Sequence, residues 1–192
     1  MFKAIVFDLD GTLIDSPLCF TSIRRQLDVP EGEDILLHLE KLQPLPRAQK
    51  LSTLQEIEVL AAAQATAFPG VVDLLSELRE RDIKTGILTR NCRAASRQAI
   101  ENLSLSIDSI VTREDAPAKP SPVGLQRLLN QWSLGNHEML FVGDFRFDIE
   151  CGKNAGVSTA LFTNGDRPQE PPQPLPDYFI SDFRQFWENL AC

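Results

Sequence analysis

The sequence Ala4-Ile5-Val6-Phe7-Asp8-Leu9-Asp10-Gly11-Thr12 decides the fold, because a short apolar run ends in two carboxylates. An uninterrupted apolar run of this length is typical of a strand that is buried on both faces of a parallel sheet. In open α/β sheets, ligands bind at the carboxyl ends of the strands. Asp8 and Asp10 are therefore predicted to lie at a binding edge, on backbone that the preceding strand holds rigid.

The chain after residue 69 alternates between helical and strand patterns. The helical patterns lie at residues 71–81, 93–102, 122–131, 147–155 and 183–190, and the strand patterns at 83–89, 107–111, 139–142, 158–162 and 178–180. Such alternation predicts an α/β fold with a Rossmann-like parallel sheet and helices on both faces. Within this region, Gly156 is expected to end a helix in a left-handed conformation, and Asp182 to cap the last helix. The proline-rich residues 168–176 predict an exposed extended loop.

Residues 16–68 interrupt this alternation, since they show helical periodicity and no convincing strand. Three helical patterns, at residues 20–27, 35–42 and 48–67, are separated by Pro30, Pro44 and Pro46. The sequence therefore predicts a core of residues 1–15 and 69–192, with a small all-α cap of residues 16–68 inserted after the first strand. Because the cap follows the carboxylate pair directly, we expect it to lie over the site.

The amino-acid composition limits the kinds of partner that the chain could bind. The 192-residue chain has 43% hydrophobic residues, enough for a sizeable core, and a formal net charge of −8. This charge argues against nucleic acids and acidic membranes, because both require a basic surface. No stretch approaches eighteen uninterrupted apolar residues, and Asp8 and Asp10 interrupt the region where a secretory signal needs an apolar run. We therefore expect a cytoplasmic protein with neither a membrane nor a nucleic-acid partner.

The cysteines and histidines restrict the metals that the chain could hold. The four cysteines are scattered and form no C-x-x-C pair: Cys19, Cys92, Cys151 and Cys192. This spacing argues against a zinc or dithiol site and predicts reduced, mostly buried thiols. With only two histidines, His38 and His137, any metal must be held mainly by oxygen, which favours magnesium.

Four further polar residues follow predicted strands or precede predicted helices. Thr89 follows Gly86-Ile87-Leu88, Lys119 precedes a proline and a helix, and Asp144 follows a strand with Asp148 four residues later. Taken singly, each is common as a turn, a helix cap or a solvated loop cation. Their occurrence together, in this order after the Asp-x-Asp pair, indicates a catalytic site.

On these residues the chain resembles the haloacid dehalogenase-like superfamily, and within it the phosphatase branch that includes phosphoglycolate phosphatases. Residues 8–12, Asp-Leu-Asp-Gly-Thr, match the first family motif, Thr89 the second, Lys119 the third and residues 143–148 the fourth. Residues 149–156 are also similar to those phosphatases. The cap is shorter than in many relatives, so the motifs leave the substrate open.

The resemblance implies a role for each acid. Asp8 would be the nucleophile that forms an aspartyl-phosphate, and Asp10 would protonate the leaving oxygen and then activate water. The cofactor would be Mg²⁺, held by the Asp8 side chain, the Asp10 backbone carbonyl and Asp144. Asp148 would orient Lys119 or a metal-bound water, unless it serves only as an acid in the first turn of a helix.

The resemblance also implies roles for the cationic and hydroxyl side chains. Lys119 would neutralise Asp8 and the phosphoryl group, and Thr89 would hold a phosphoryl oxygen. Arg90 and Asn91 are predicted substrate-binding residues because they follow Thr89 directly. The remaining cations near the motifs or in the cap are expected more often at the surface than on the leaving group: Arg24, Arg25, Arg47 and Arg146.

The expected function is that of a phosphatase acting on a small phosphorylated metabolite, and the resemblance suggests phosphoglycolate as a substrate. The motifs leave other functions open. A phosphomutase of the β-phosphoglucomutase type would use the same two acids. A phospho-accepting signalling module also combines Asp, Thr, Lys and magnesium, but it carries the phosphorylated Asp on a middle strand and the acidic pair on the first. Dehalogenation would need no second acid, whereas Asp10 is present.

Overall fold

The computed structural model describes residues 2–165, 170 and 172–191, and its centre is a six-stranded parallel sheet. Strand β1 (Ala4–Phe7) lies in the middle, hydrogen-bonded to β4 (Lys84–Leu88) on one side and to β6 (Met139–Gly143) on the other. The remaining strands are β5 (Ser109–Val111), β7 (Ser158–Phe162) and β8 (Tyr178–Ile180), and the sheet order is β5-β4-β1-β6-β7-β8. The predicted Rossmann-like α/β fold is confirmed.

The residues of β1 alternate between two hydrophobic cores, which explains why the strand is apolar throughout. Ile5 and Phe7 belong to one core, whereas Ala4 and Val6 belong to the other. The first core is covered by α4 (Val71–Glu80), α5 (Arg93–Asn102) and α8 (Phe186–Leu190), and the second by α6 (Val123–Trp132) and α7 (Arg146–Ala155).

The segment between β1 and α4 is mainly helical, but it begins and ends in a short ladder that the sequence did not predict. Strands β2 (Ile14–Asp15) and β3 (Thr66–Ala67) pair antiparallel. Two-residue strands are too short to show alternation, so the expectation of no strand was wrong. Between them lie α1 (Phe20–Gln26), α2 (Ile35–Glu40) and α3 (Pro44–Ala62). These helices enclose a hydrophobic cluster of their own, which includes Ile23, Leu27, Leu39 and Leu54.

Helix α3 begins four residues before the predicted start at residue 48. Pro44 and Pro46 were predicted to separate helices, yet both lie in its first turn. The first backbone N–H groups of a helix have no partner within the helix, so proline is tolerated there. The helix ends at Ala62 instead of residue 67, because residues 66 and 67 join the ladder with β2.

The other predicted elements agree with the structure to within one or two residues. Gly156 ends α7 with φ 72°, and Asp182 accepts a hydrogen bond from the N–H of Arg184. The last predicted helix is divided into a 3₁₀ turn (Phe183–Gln185) and α8. Of the predicted loop at 168–176, residues 168, 169 and 171 lie outside the described residues. Among the described helices, none combines the length and apolar character that crossing a membrane requires.

The three described cysteines are free thiols and two of them are buried, which agrees with the prediction of reduced, mostly buried thiols. Cys92 and Cys151 are buried and Cys19 is exposed, while Cys192 lies outside the described residues. Burial raises the pKa of Cys92 to about 11 and that of Cys151 to about 12. Both buried thiols therefore stay protonated at neutral pH and behave as small apolar side chains.

Candidate active site

The Asp-x-Asp pair lies where β1 leaves the sheet. The N–H of Asp8 donates to the carbonyl of Val142 at 2.8 Å, so the ladder fixes the backbone at this residue. The chain then turns at Gly11, whose φ of 83° favours glycine. A Cβ at Gly11 would lie 2.4 Å from Oδ2 of Asp144, so the close approach of the two loops also requires the absence of a side chain. The glycine thus brings Asp144 beside the first-strand acids.

Lys119 joins two of the predicted acids. Its Nζ lies 2.6 Å from Oδ1 of Asp8 and 2.6 Å from Oδ1 of Asp148, and only 3% of the residue is exposed. Burial alone would lower the pKa of Lys119, but attraction by Asp148 and Asp8 outweighs it and raises the pKa. Asp148 also accepts the N–H of Phe145 at 3.0 Å, so it both starts α7 and orients the lysine. Lys119 is therefore a fixed positive charge beside Asp8.

Asp10 is held by neutral donors. Oγ of Ser16 donates to its Oδ1 at 2.5 Å, and Nδ2 of Asn91 donates to its Oδ2 at 2.9 Å. Among the described residues, Asp10 forms no ion pair. The two hydrogen bonds thus fix the orientation of its carboxyl group.

Thr89 and Asp144 complete the edge of the sheet. Thr89 is buried; its N–H donates to the carbonyl of Val111, and its Oγ1 accepts the N–H of Asn91 at 3.0 Å. The hydroxyl proton of Thr89 is consequently available for a ligand. Oγ1 of Thr12 donates to Oδ1 of Asp144 at 2.9 Å. The structure therefore brings together all five side chains that the sequence predicted for the chemistry: Asp8, Asp10, Thr89, Lys119 and Asp144.

The carboxylates form a group that suits a hard cation. One oxygen each of Asp8, Asp144 and Asp148 lies within 4.8 Å of the others. Burial and the nearby charge of Asp148 raise the pKa of Asp144 to about 6. Burial also raises the pKa of Asp8, against the attraction of Lys119. This excess of negative charge and the all-oxygen donor set would suit a hard divalent cation such as Mg²⁺, for which Asp8 and Asp144 are the predicted side-chain ligands.

Two of the four predicted substrate-binding residues, Arg90 and Asn91, are engaged by other groups of the protein. Nη2 of Arg90 donates to both carboxylate oxygens of Asp34, at 2.6 and 2.5 Å, and Asp34 is the N-cap of α2. The Arg90 guanidinium also lies over the ring of Phe147, 4.9 Å from its centroid. Asn91 contacts Asp10, as described above. Both residues line the cavity, but in this structure they connect elements of the protein.

A cavity of about 380 Å³ lies between the sheet edge and the helical segment. It is bounded below by the acids, Thr89 and Lys119, and above by side chains of α1, α2 and α3. Sequence reasoning missed two acids that line it, Asp34 and Glu58. The position of Asp34 before a helical run marks it as an N-cap, whereas nothing in the sequence around Glu58 indicates its buried position.

Residues 5–162 match the family of haloacid dehalogenase-like hydrolases, and the chain belongs to this family. An uncharacterized hydrolase of Saccharomyces cerevisiae is 31% identical over 169 residues, which cover 84% of this chain and 78% of that protein. A phosphoglycolate phosphatase of Rhodospirillum rubrum is 28% identical over 197 residues, covering 86% of this chain and 81% of that protein. The crystal structure of a hydrolase from Pseudomonas syringae has the same fold, with a TM-score of 0.79, 22% identity and 98% coverage of both chains. The resemblance that the motifs indicated is confirmed.

Proposed function

We propose that the protein is a Mg²⁺-dependent phosphatase that hydrolyses a small phosphate monoester through an aspartyl-phosphate on Asp8. The observation that carries this proposal is that Asp8 pairs with a buried lysine and lines one cavity with Asp10, an aspartate that forms no ion pair among the described residues. Lys119 lies 2.6 Å from Asp8, and Asp10 is oriented by Ser16 and Asn91. A nucleophile fixed beside both a positive charge and an acid–base group is the arrangement that two-step hydrolysis needs.

In the first step, an oxygen of Asp8 attacks phosphorus, and the bond from phosphorus to the leaving oxygen breaks. Asp10, protonated at this stage, gives its proton to the leaving oxygen. Lys119 balances the charge of Asp8 and the phosphoryl group, and the Thr89 hydroxyl donates to a phosphoryl oxygen. The Asp8 side chain, the Asp10 carbonyl and Asp144 would hold Mg²⁺, which would supply the positive charge that lets a phosphate dianion approach the carboxylates.

In the second step, Asp10, now a carboxylate, takes a proton from water as the water attacks phosphorus. The bond between phosphorus and Asp8 breaks, inorganic phosphate leaves, and the Asp8 carboxylate is restored. The side chains of α1 to α3 that cover the cavity exclude bulk water from the phosphoryl group during the first step.

The substrate class follows from size and charge. The cavity accommodates a small metabolite, and the net charge of −8 favours neither a nucleic acid nor an acidic membrane surface. Phosphoglycolate is one candidate, supported by the name of the Rhodospirillum rubrum relative. A cytoplasmic location agrees with a metabolite of this kind.

The substitution Asp8→Asn tests the proposal, because an amide cannot attack phosphorus at a useful rate. We expect it to reduce Mg²⁺-dependent release of phosphate from p-nitrophenyl phosphate by a factor on the order of 10³ or more. The fold should persist, as checked by circular dichroism. The control is Asp15→Asn, an exposed aspartate a few residues away that does not line the cavity.

The reaction products distinguish a phosphatase from a phosphomutase and from a phospho-accepting signalling module. Many equivalents of inorganic phosphate per protein support hydrolysis, whereas a stable label of one phosphate per chain would indicate a signalling module. Conversion of a sugar phosphate into its isomer without release of phosphate would indicate a mutase. Turnover undiminished in Asp8→Asn would exclude Asp8 as the nucleophile.

A further inference from the structure

The upper half of the cavity, which would surround the leaving group, is walled mainly by apolar side chains. Ile23, Leu36 and Leu54 come from α1, α2 and α3, and Phe147 comes from α7. Phe20, which also lines the cavity, is 56% exposed. Such a wall favours a leaving group with an apolar portion. In a mainly apolar pocket, the few charged side chains are the groups that orient the ligand.

Most charges in this upper half are already matched by a protein partner. Asp34 accepts from Arg90 with both carboxylate oxygens. Glu58 forms an ion pair with Arg113, in which the two side chains are 8% and 10% exposed. Neither acid is therefore left to attract a cationic ligand, and Arg90 is not left to attract an anionic one.

Arg24 is the exception. It lies on α1, one residue after Ile23, and its half-buried side chain lines the cavity. Its Nε donates to the backbone carbonyl of Glu33 at 3.2 Å, which fixes the direction of the guanidinium. Among the described residues, no carboxylate pairs with Arg24, and its two Nη groups have no protein acceptor. The guanidinium of Arg24 thus places a fork of N–H donors in a mainly apolar part of the cavity wall.

We propose that Arg24 binds a second anionic group, a carboxylate or phosphate, on the leaving group of the substrate. The guanidinium fork matches both groups in geometry, and a partly buried site with an apolar surround strengthens the interaction relative to water. The substrate class is then a phosphate monoester that carries a negative charge at its other end, with an apolar spacer between the two charges. This inference rests on the proposed phosphatase function and adds the feature that selects among phosphate monoesters.

The test uses aryl phosphates that differ in one charge. Carboxyphenyl phosphate is compared with carbamoylphenyl phosphate, which has nearly the same shape without the charge, in the ortho, meta and para forms. For at least one isomer, we expect kcat/KM of the unmodified protein to be roughly tenfold or more higher for the carboxylate. Using three isomers samples different distances between the phosphate and the second anion.

Two substitutions of Arg24 then identify the source of this preference. Arg24→Gln retains a donor for the Glu33 carbonyl and removes the charge, so the ratio of the two kcat/KM values should fall to about one. Arg24→Lys keeps the charge without the fork and should give an intermediate ratio. The matched control is Arg25→Gln, an exposed neighbour outside the cavity, which should keep the full ratio.

The outcomes separate this inference from the function on which it rests. A ratio near one for all three isomers in the unmodified protein, with both esters hydrolysed, leaves the phosphatase standing and overturns the role of Arg24. A preference that persists undiminished in Arg24→Gln overturns it as well. Failure of the unmodified protein to hydrolyse any of these esters or p-nitrophenyl phosphate contradicts the phosphatase function, and the inference falls with it.

Discussion

Asp8, Asp144 and Asp148 lie close together, and the ammonium of Lys119 pairs with only two of them, Asp8 and Asp148. This excess of negative charge gives a pH-dependent prediction. Asp144, with its pKa raised to about 6, must lose its proton before it can bind a cation. Without metal, the native state holds this proton more tightly than the unfolded chain, so ionisation of Asp144 lowers stability as pH rises from about 4 to 6. Mg²⁺ bound to the ionised form of Asp144 would offset that penalty.

We therefore expect Mg²⁺ to raise Tm more at pH 7.5 than at pH 5, with protonation of Asp144 alone lowering the apparent affinity by up to about tenfold per pH unit below pH 6. The measurement is a thermal unfolding series with Mg²⁺ or EDTA across this range. Asp144→Asn should lose most of the Mg²⁺ effect at every pH. A Tm increase that is equal at both pH values, or larger at pH 5, would contradict the assignment of Asp144 as a ligand.

The sequence predicts the neighbours of a site residue when the strand order of the sheet determines which residues lie close together. It does not predict contacts with residues outside the sheet. Asp8, Thr89 and Asp144 each follow a strand, and parallel strands end at one edge, so their proximity follows from the fold. The partner of Arg90 is different, because Asp34 is 56 residues away on a helix whose placement no local pattern encodes. The catalytic and ligand roles of these residues remain predictions until the substitutions are made.

At the scale of elements, the buried ion pair between Glu58 of α3 and Arg113 after β5 joins the helical segment to the sheet. Oε2 of Glu58 also accepts the N–H of Cys92 at 3.2 Å, at the start of α5. Burial raises the pKa of Glu58 although Arg113 opposes the change, so the pair is held in a poorly solvated place. Removing one partner from such a pair leaves an uncompensated charge.

We expect Glu58→Gln to lower the free energy of unfolding by about 2–4 kcal/mol, measured by urea denaturation. Replacing both partners, as Glu58→Gln with Arg113→Met, should recover part of this loss because no lone charge stays buried. Glu56→Gln is the control, since this glutamate is exposed on the same helix and should change stability by less than about 0.5 kcal/mol. A loss no greater for Glu58→Gln than for Glu56→Gln would argue against a stabilising link.

Helices and strands whose ends depend on nearby residues were predicted well. Elements that depend on contacts with residues far away in the sequence were not. Helix α5 and strand β7 match their predicted bounds, because capping residues, turns and hydrophobic periodicity define them within a few residues. The β2–β3 ladder joins residues about fifty positions apart and is two residues long. Its existence depends on how the helical segment rejoins the core, which no window of sequence contains.

Across the whole protein, the buried hydrophobic residues are divided among separate clusters. This division predicts the order in which parts of the chain unfold locally. The two cores of the sheet meet at β1, whose four residues are fully buried. The cluster of the helical segment is smaller and separate, although α3 also packs against α5. Helices α1 and α2 have only seven and six residues, so they depend on this small cluster for stability.

Hydrogen exchange measured by mass spectrometry should therefore show three levels of protection. Amides of β1 and β6 should exchange only through global unfolding, those of α3 at an intermediate free energy, and those of α1 and α2 first. Glu58→Gln should move α3 toward the behaviour of α1 and α2, because it removes the ion pair that anchors α3 to the sheet. Equal protection of β1, α1 and α2 would mean that the chain opens as one cooperative unit, and it would contradict the predicted division into a core of residues 1–15 and 69–192 and a cap of residues 16–68.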